Sequence, residues 1–136
     1  MSKLQEMIGC INKTSEKDYK DKLLKEFVTG LLNEEFVISV SQWYEDKDYM
    51  TPFIGLHEDA IPSLYVFTSP ELALNFAEEN EMVSVEGGCL AFKVLSANLV
   101  QLAEAYNNGS EVEGLVIDQG ANAIYISFRE LLELLD

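Results

Sequence analysis

Hydrophobic positions along this chain change their spacing several times, and each change marks an element. Leu4, Met7, Ile8 and Ile11 recur at helical spacing behind Ser2 and Gln5, which have the form of a capping box, so a short amphipathic helix is expected first. From residue 15 to about 32, Tyr19, Leu23, Leu24, Phe27, Val28 and Leu31 share one helical face, with Lys17, Asp18, Asp21, Lys22 and Lys25 on the rest. This spacing predicts the longest helix. Past Glu35 the period drops to two: Phe36, Ile38 and Val40 alternate with Val37, Ser39 and Ser41, and the β-branched content predicts a strand toward Trp43. Residues 45–48 read as a turn. Two extended pieces, near 49–56 and 63–68, are separated by His57, Glu58, Asp59 and Pro62, which predicts a meander.

Thr68, Ser69, Pro70 and Glu71 carry a strong helix-start signal, because a hydroxyl caps free amides, proline fits the first turn and glutamate suits the positive end. The helix is expected from Pro70 to Asn80, with Leu72, Ala73, Phe76 and Ala77 turned inward. Glu78, Glu79 and Glu81 stay in water, crowding the negative end of that helix at a local cost. Alternation over 82–86, then Gly87-Gly88, then an apolar run over 89–94 predicts a hairpin. Leu99, Leu102, Ala103 and Tyr106 form a helical stripe that Asn107, Asn108 and Gly109 stop. Leu115, Val116 and Ile117, a turn at Asp118, Gln119 and Gly120, and the apolar run 123–126 read as a second hairpin. Ser127 with Glu130 then caps a final helix lined by Leu131, Leu134 and Leu135.

These elements add up to an α+β fold: one domain over 1–136, a mixed or antiparallel sheet, and about five helices, the first two forming an N-terminal helical addition over 1–33. A chain of 136 residues is long enough for one core, burying roughly 70% of the surface of its unfolded form. Its 48% hydrophobic share, with seven Phe and six Tyr, sets it apart from disordered chains. No apolar run approaches the roughly 20 residues a membrane-spanning helix needs, and residues 1–13 lack the pattern of a secretory signal. The expected location is the cytoplasm.

Charge changes the picture more than composition does. Residues 1–50 hold seven Lys against ten acids, a net −3, whereas 51–136 hold only Lys93 and Arg129 against fourteen acids, a net −12. Such a field repels phosphate backbones and anionic headgroups, so neither a nucleic acid nor a membrane is an expected partner, and it speeds encounter with a basic protein. The plainer reading is that the acids keep a small protein soluble. Cys10 and Cys89, far apart and outside any metal-ligand spacing, are expected to be reduced and packed in the interior, with a disulfide left open.

Little in the sequence carries chemistry. His57 is the sole histidine, so one chain cannot build a Ser-His-Asp triad or a two-histidine metal site. Its neighbours Glu58 and Asp59 lack calcium-loop spacing, which makes a solvated turn the expected state of all three. Gly87-Gly88 lacks the further glycines, helix start and lysine of a phosphate cradle. No cofactor, metal or catalytic residue is expected. The densest candidate is a contact patch for a protein partner: Trp43, Tyr44, Tyr49 and Phe53 interleaved with Asp46 and Asp48, continuing into His57, Glu58 and Asp59. Against it stands the reading that alternate aromatics point into a core.

The order of segments also resembles a known family. Leu64-Tyr-Val-Phe-Thr-Ser-Pro-Glu-Leu-Ala-Leu-Asn-Phe76, then Phe92-Lys-Val-Leu-Ser-Ala-Asn-Leu99, then Gly114-Leu-Val-Ile-Asp118 with Ala123-Ile-Tyr-Ile-Ser-Phe-Arg-Glu-Leu-Leu132, is similar to the SseB N-terminal-domain family over about residues 60–136. Where that family shows Asn-Pro after the Gly-Leu-Val strand, this chain has Asp118-Gln119. The resemblance implies a bacterial α+β domain of interaction type without catalytic residues. Two functions are expected from it and the charge: a non-enzymatic protein-interaction module, or an immunity-type inhibitor that neutralises a basic toxin.

Overall fold

The computed structural model describes residues 3–40, 54–57, 61–80, 91–109, 111–120 and 123–135. In chain order these hold α1 (Lys3–Lys13), α2 (Lys17–Asn33), β1 (Phe36–Val40), β2 (Ile54–His57), β3 (Ile61–Phe67), α3 (Pro70–Glu79), β4 (Ala91–Leu95), a 3-10 turn (Ser96–Asn98), α4 (Leu99–Asn107), β5 (Gly114–Ile117), β6 (Ile124–Ser127) and α5 (Phe128–Leu135). The fold is α+β, with a mixed sheet whose main path runs β4-β1-β3-β5-β6; β2 pairs with β3 off that path. β3 and β5 are parallel, with Leu64 beside Leu115 and Val66 beside Ile117, and the other pairings are antiparallel.

Both faces of the sheet are apolar, and this is why the strands read as continuous hydrophobic runs. On one face Val37, Leu64, Val66, Leu115, Ile117, Ile124 and Ile126 pack with residues of α1, α2, α4 and α5, including Ile8, Ile11, Phe27, Leu31, Leu99 and Leu131. The two N-terminal helices are thus part of the main core. On the other face Ile38, Val40, Tyr65, Phe67 and Val116 meet Ala73, Phe76 and Ala77 of α3. Ser39 and Ser96 bring buried hydroxyls that have no hydrogen-bond partner.

β1 and β2 do not pair with each other as a meander requires. Ser39 of β1 lies opposite Val66, and Ile54 of β2 lies opposite Leu64, so the two strands occupy successive stretches of one edge of β3. Pro62, expected to separate strands, lies within β3 opposite Leu56. Proline lacks a donor, but its carbonyl accepts the Glu113 N–H at 2.8 Å. The predicted turn at 45–48, the hairpin arm at 82–86 with Gly87-Gly88, and Cys89 lie outside the described residues.

Asp118 stands, as expected, in the turn between β5 and β6, but its side chain is fully buried, which the sequence did not announce, and its backbone lies in the left-handed region at φ 61°. Asp and Asn enter that region more readily than other side-chain-bearing residues. Its N–H continues the parallel ladder to the Val66 carbonyl at 3.0 Å. Its Oδ1 accepts the Thr68 N–H at 2.7 Å, while Oδ2 accepts the Thr68 hydroxyl at 2.7 Å and the side-chain amide of Gln5. One carboxylate therefore joins the ends of β3 and β5 to α1, and Asn12 adds a bond from α1 to the Ala123 carbonyl at 3.0 Å. Gly114, at the other end of β5, has no room for a side chain: a Cβ there would stand 2.6 Å from the Ile126 carbonyl oxygen and 2.8 Å from the Tyr125 ring.

Two further expectations fail at the surface. Tyr19, placed on the inward stripe of α2, is about half exposed, and the Cys10 thiol on α1 is exposed and free rather than buried.

Asp118→Asn keeps the tolerance for positive φ but turns one acceptor into a donor that faces a donor, so a loss of roughly 1–3 kcal/mol is expected in urea unfolding. A double-mutant cycle with Gln5→Ala should give a coupling of at least about 0.5 kcal/mol; strict additivity would show that the carboxylate does not hold α1. Gly114→Ala should cost about 2 kcal/mol or more by the same measurement, because backbone and not a flexible side chain has to move.

Candidate functional site

Ser69 positions α3: its hydroxyl accepts the Leu72 N–H at 3.3 Å and Pro70 occupies the first turn. The neighbouring Thr68, equally able to cap, is committed to Asp118. Set in this way, α3 lays Phe76 on the sheet against Tyr65, ring centroids 5.4 Å apart and nearly parallel, and against Phe67 at 5.1 Å. Its far end carries Glu78 and Glu79 with no basic residue in the last turn. The Asn80 side-chain amide closes that end on the Phe76 carbonyl at 2.8 Å.

This helix end borders a groove of about 420 Å³. Among the described residues it is lined by Leu56 of β2, Tyr65 of β3, Phe76 and Glu79 of α3, and Gln119 and Gly120 of the β5–β6 turn. Leu56 is 58% exposed, an apolar side chain left in water at the rim. Burial raises the Tyr65 phenol above its ordinary value of 10.0.

His57, the described member of the predicted contact patch, ends β2 half-buried and stacks on Tyr125 of β6 at 4.9 Å with 13° between planes. It does not sit in a solvated turn. The contact joins two strands that β3 and β5 separate in the sheet order. The Tyr125 phenol is raised by burial first and then by the carboxylates of Glu113 and Glu130. The other members of the patch, Trp43, Tyr44, Asp46, Asp48, Tyr49, Phe53, Glu58 and Asp59, lie outside the described residues.

Sequence reasoning missed Tyr65, Tyr125 and Gln119 as members of this face. Tyr65 and Tyr125 had a signal, a phenol within a largely apolar strand, whereas Gln119 had none. Among the described residues, no cluster of three or more His, Cys, Asp or Glu is placed to hold a metal, and no helix is long and apolar enough to cross a membrane. No family model, no curated protein and no solved structure matches this chain.

Removing the carboxylates at the negative helix end relieves a local repulsion. Glu78→Gln with Glu79→Gln is expected to stabilise the fold by about 0.5–1 kcal/mol, read as a higher Tm whose excess fades in about 1 M salt. The raised phenols work in the alkaline range: a group that holds its proton more tightly when folded lends stability that is complete below the unfolded pKa and is lost as pH climbs through the folded one. Stability should therefore fall above about pH 10, and less so in Tyr125→Phe, with the late phase of the phenolate absorbance titration reduced in that variant.

Proposed function

We propose that this chain is a non-enzymatic bacterial protein-interaction module of the SseB-like type, binding another protein through the aromatic and acidic face built from Trp43 to Asp59. One observation carries the reading. Among the described acids of residues 51–136, all but Asp118 are exposed, and only Glu133 has an ion-pair partner, Arg129 at 3.2 Å. The one buried carboxylate is spent on holding strands and α1 together. What remains is a negative skin beside stacked aromatic rings, the combination from which protein contacts draw both steering and anchoring. The resemblance over 60–136 supports the same class.

The concentration of acid in the second part of the chain favours one narrower reading, an immunity-type inhibitor that covers the basic surface of a toxin. The two differ in salt dependence. An inhibitor of that kind should lose at least about tenfold in affinity between low and physiological ionic strength, since its encounter rests on long-range attraction.

Affinity purification at low salt, with the chain as bait, tests the main reading. A captured protein should be lost by at least about tenfold in His57→Ala, Trp43→Ala or Tyr44→Ala, with far-UV circular dichroism unchanged. A partner retained in full by all three variants would remove this face from the account.

A further inference from the structure

We propose that Asn108, at the C-terminal end of α4, is a site of spontaneous covalent modification, where the Gly109 nitrogen closes on the side chain and converts the asparagine to aspartate and isoaspartate. The inference stands apart from the interaction reading above.

The chemistry needs only these two residues and solvent. The backbone nitrogen of Gly109 attacks Cγ of Asn108: an N–Cγ bond forms, the Cγ–Nδ2 bond breaks, and the side-chain nitrogen leaves as ammonia with the proton given up by the Gly109 N–H. Water then opens the five-membered imide at one carbonyl or the other, leaving an aspartyl or an isoaspartyl residue and one new carboxylate. A side chain on the following residue crowds the attacking nitrogen, and glycine brings none. Asn108-Gly109 is the sole Asn-Gly pair in the chain, and Asp-Gly does not occur.

Whether such a pair reacts is decided by the fold, which leaves this one open. α4 ends at Asn107, so Asn108 and Gly109 lie beyond its last residue, and both are exposed. Among the described residues, none hydrogen-bonds the Asn108 side chain or the Gly109 N–H. Gly109 stands at φ +137° with open space where a Cβ would point. Ring closure requires ψ of Asn108 to turn away from its 27° until the Gly109 nitrogen faces Cγ, and an exposed position past a helix end is where that rotation costs least. Other asparagines are held. The amides of Asn12 and Asn80 are bound to the Ala123 and Phe76 carbonyls, and Asn33, Asn75 and Asn107 lie within helices.

The product bears on α4. Its carboxylate joins the negative end of a helix whose last turn has no basic residue, two positions after Tyr106, which stacks on Phe128 of α5 at 5.3 Å.

The test is incubation of the full chain at about pH 8 and about 37 °C beside a capped synthetic peptide of residues 105–111, followed by cleavage after glutamate and mass spectrometry. The 105–111 fragment of the chain should gain about 1 Da and split into two chromatographic species, at a rate within about fivefold of the free peptide, while fragments with other asparagines change at least about tenfold more slowly. Asn108→Gln should abolish the gain, and Gly109→Ala should slow it at least about tenfold in chain and peptide alike. A chain reacting more than about fivefold slower than the peptide would show that the helix end protects Asn108 and would overturn the assignment. So would a gain that survives Asn108→Gln, or one that comes first at another asparagine. The modified chain should melt below the fresh one, and an unchanged Tm would sever the site from α4.

Discussion

A carboxylate buried away from water is stable only where donors surround it, and Asp118 sits where three converge. Two come from Thr68, directly after β3, and one from Gln5 on α1. Parallel strands have no hairpin to align them, so β3 and β5 depend on their ladder and on what binds their ends. The Asp118 N–H prolongs the ladder while its side chain fastens the neighbouring strand end. The same group draws in α1, whose Leu4, Ile8 and Ile11 then reach the core.

The clamp also determines what the opposite face can do. By holding Thr68, it leaves Ser69 to cap α3, and the helix leaves the sheet at an angle that puts Phe76 on Tyr65 and Phe67. The far end of α3 is thereby brought beside Gln119 and Gly120, which follow Asp118 in the chain. The buried clamp and the groove are adjacent in the chain, since Gln119 and Gly120 follow Asp118 directly.

Much of the fold was legible because its elements carry local signals. Ser69 and Pro70 announced α3, the stripe Leu99, Leu102, Ala103 and Tyr106 announced α4, and the apolar runs on either side of Gly120 announced β5 and β6. The excess of acid at the end of α3 was legible too, being a matter of composition in one turn. The groove was not, since it needs Leu56, Tyr65, Phe76 and Gln119 from four separate segments. His57 was misread, and the burial of Asp118 within its turn went unseen, for one shared reason. A polar residue between apolar runs has the local pattern of a turn, and only a partner distant in sequence, Tyr125 for one and Thr68 and Gln5 for the other, gives it a reason to be in the interior.

By itself the sequence determined the α+β class, the extent of most helices, the apolar strands and the uneven charge, because each depends on residue types within a few positions of one another. Tertiary structure alone decided that β1 and β2 share an edge of β3, that β3 and β5 run parallel, and which acids meet a cation. Those outcomes depend on pairings across tens of residues. Strand edges are chemically alike along the backbone, and the choice among them falls to side-chain packing and to the few buried polar groups that must find partners.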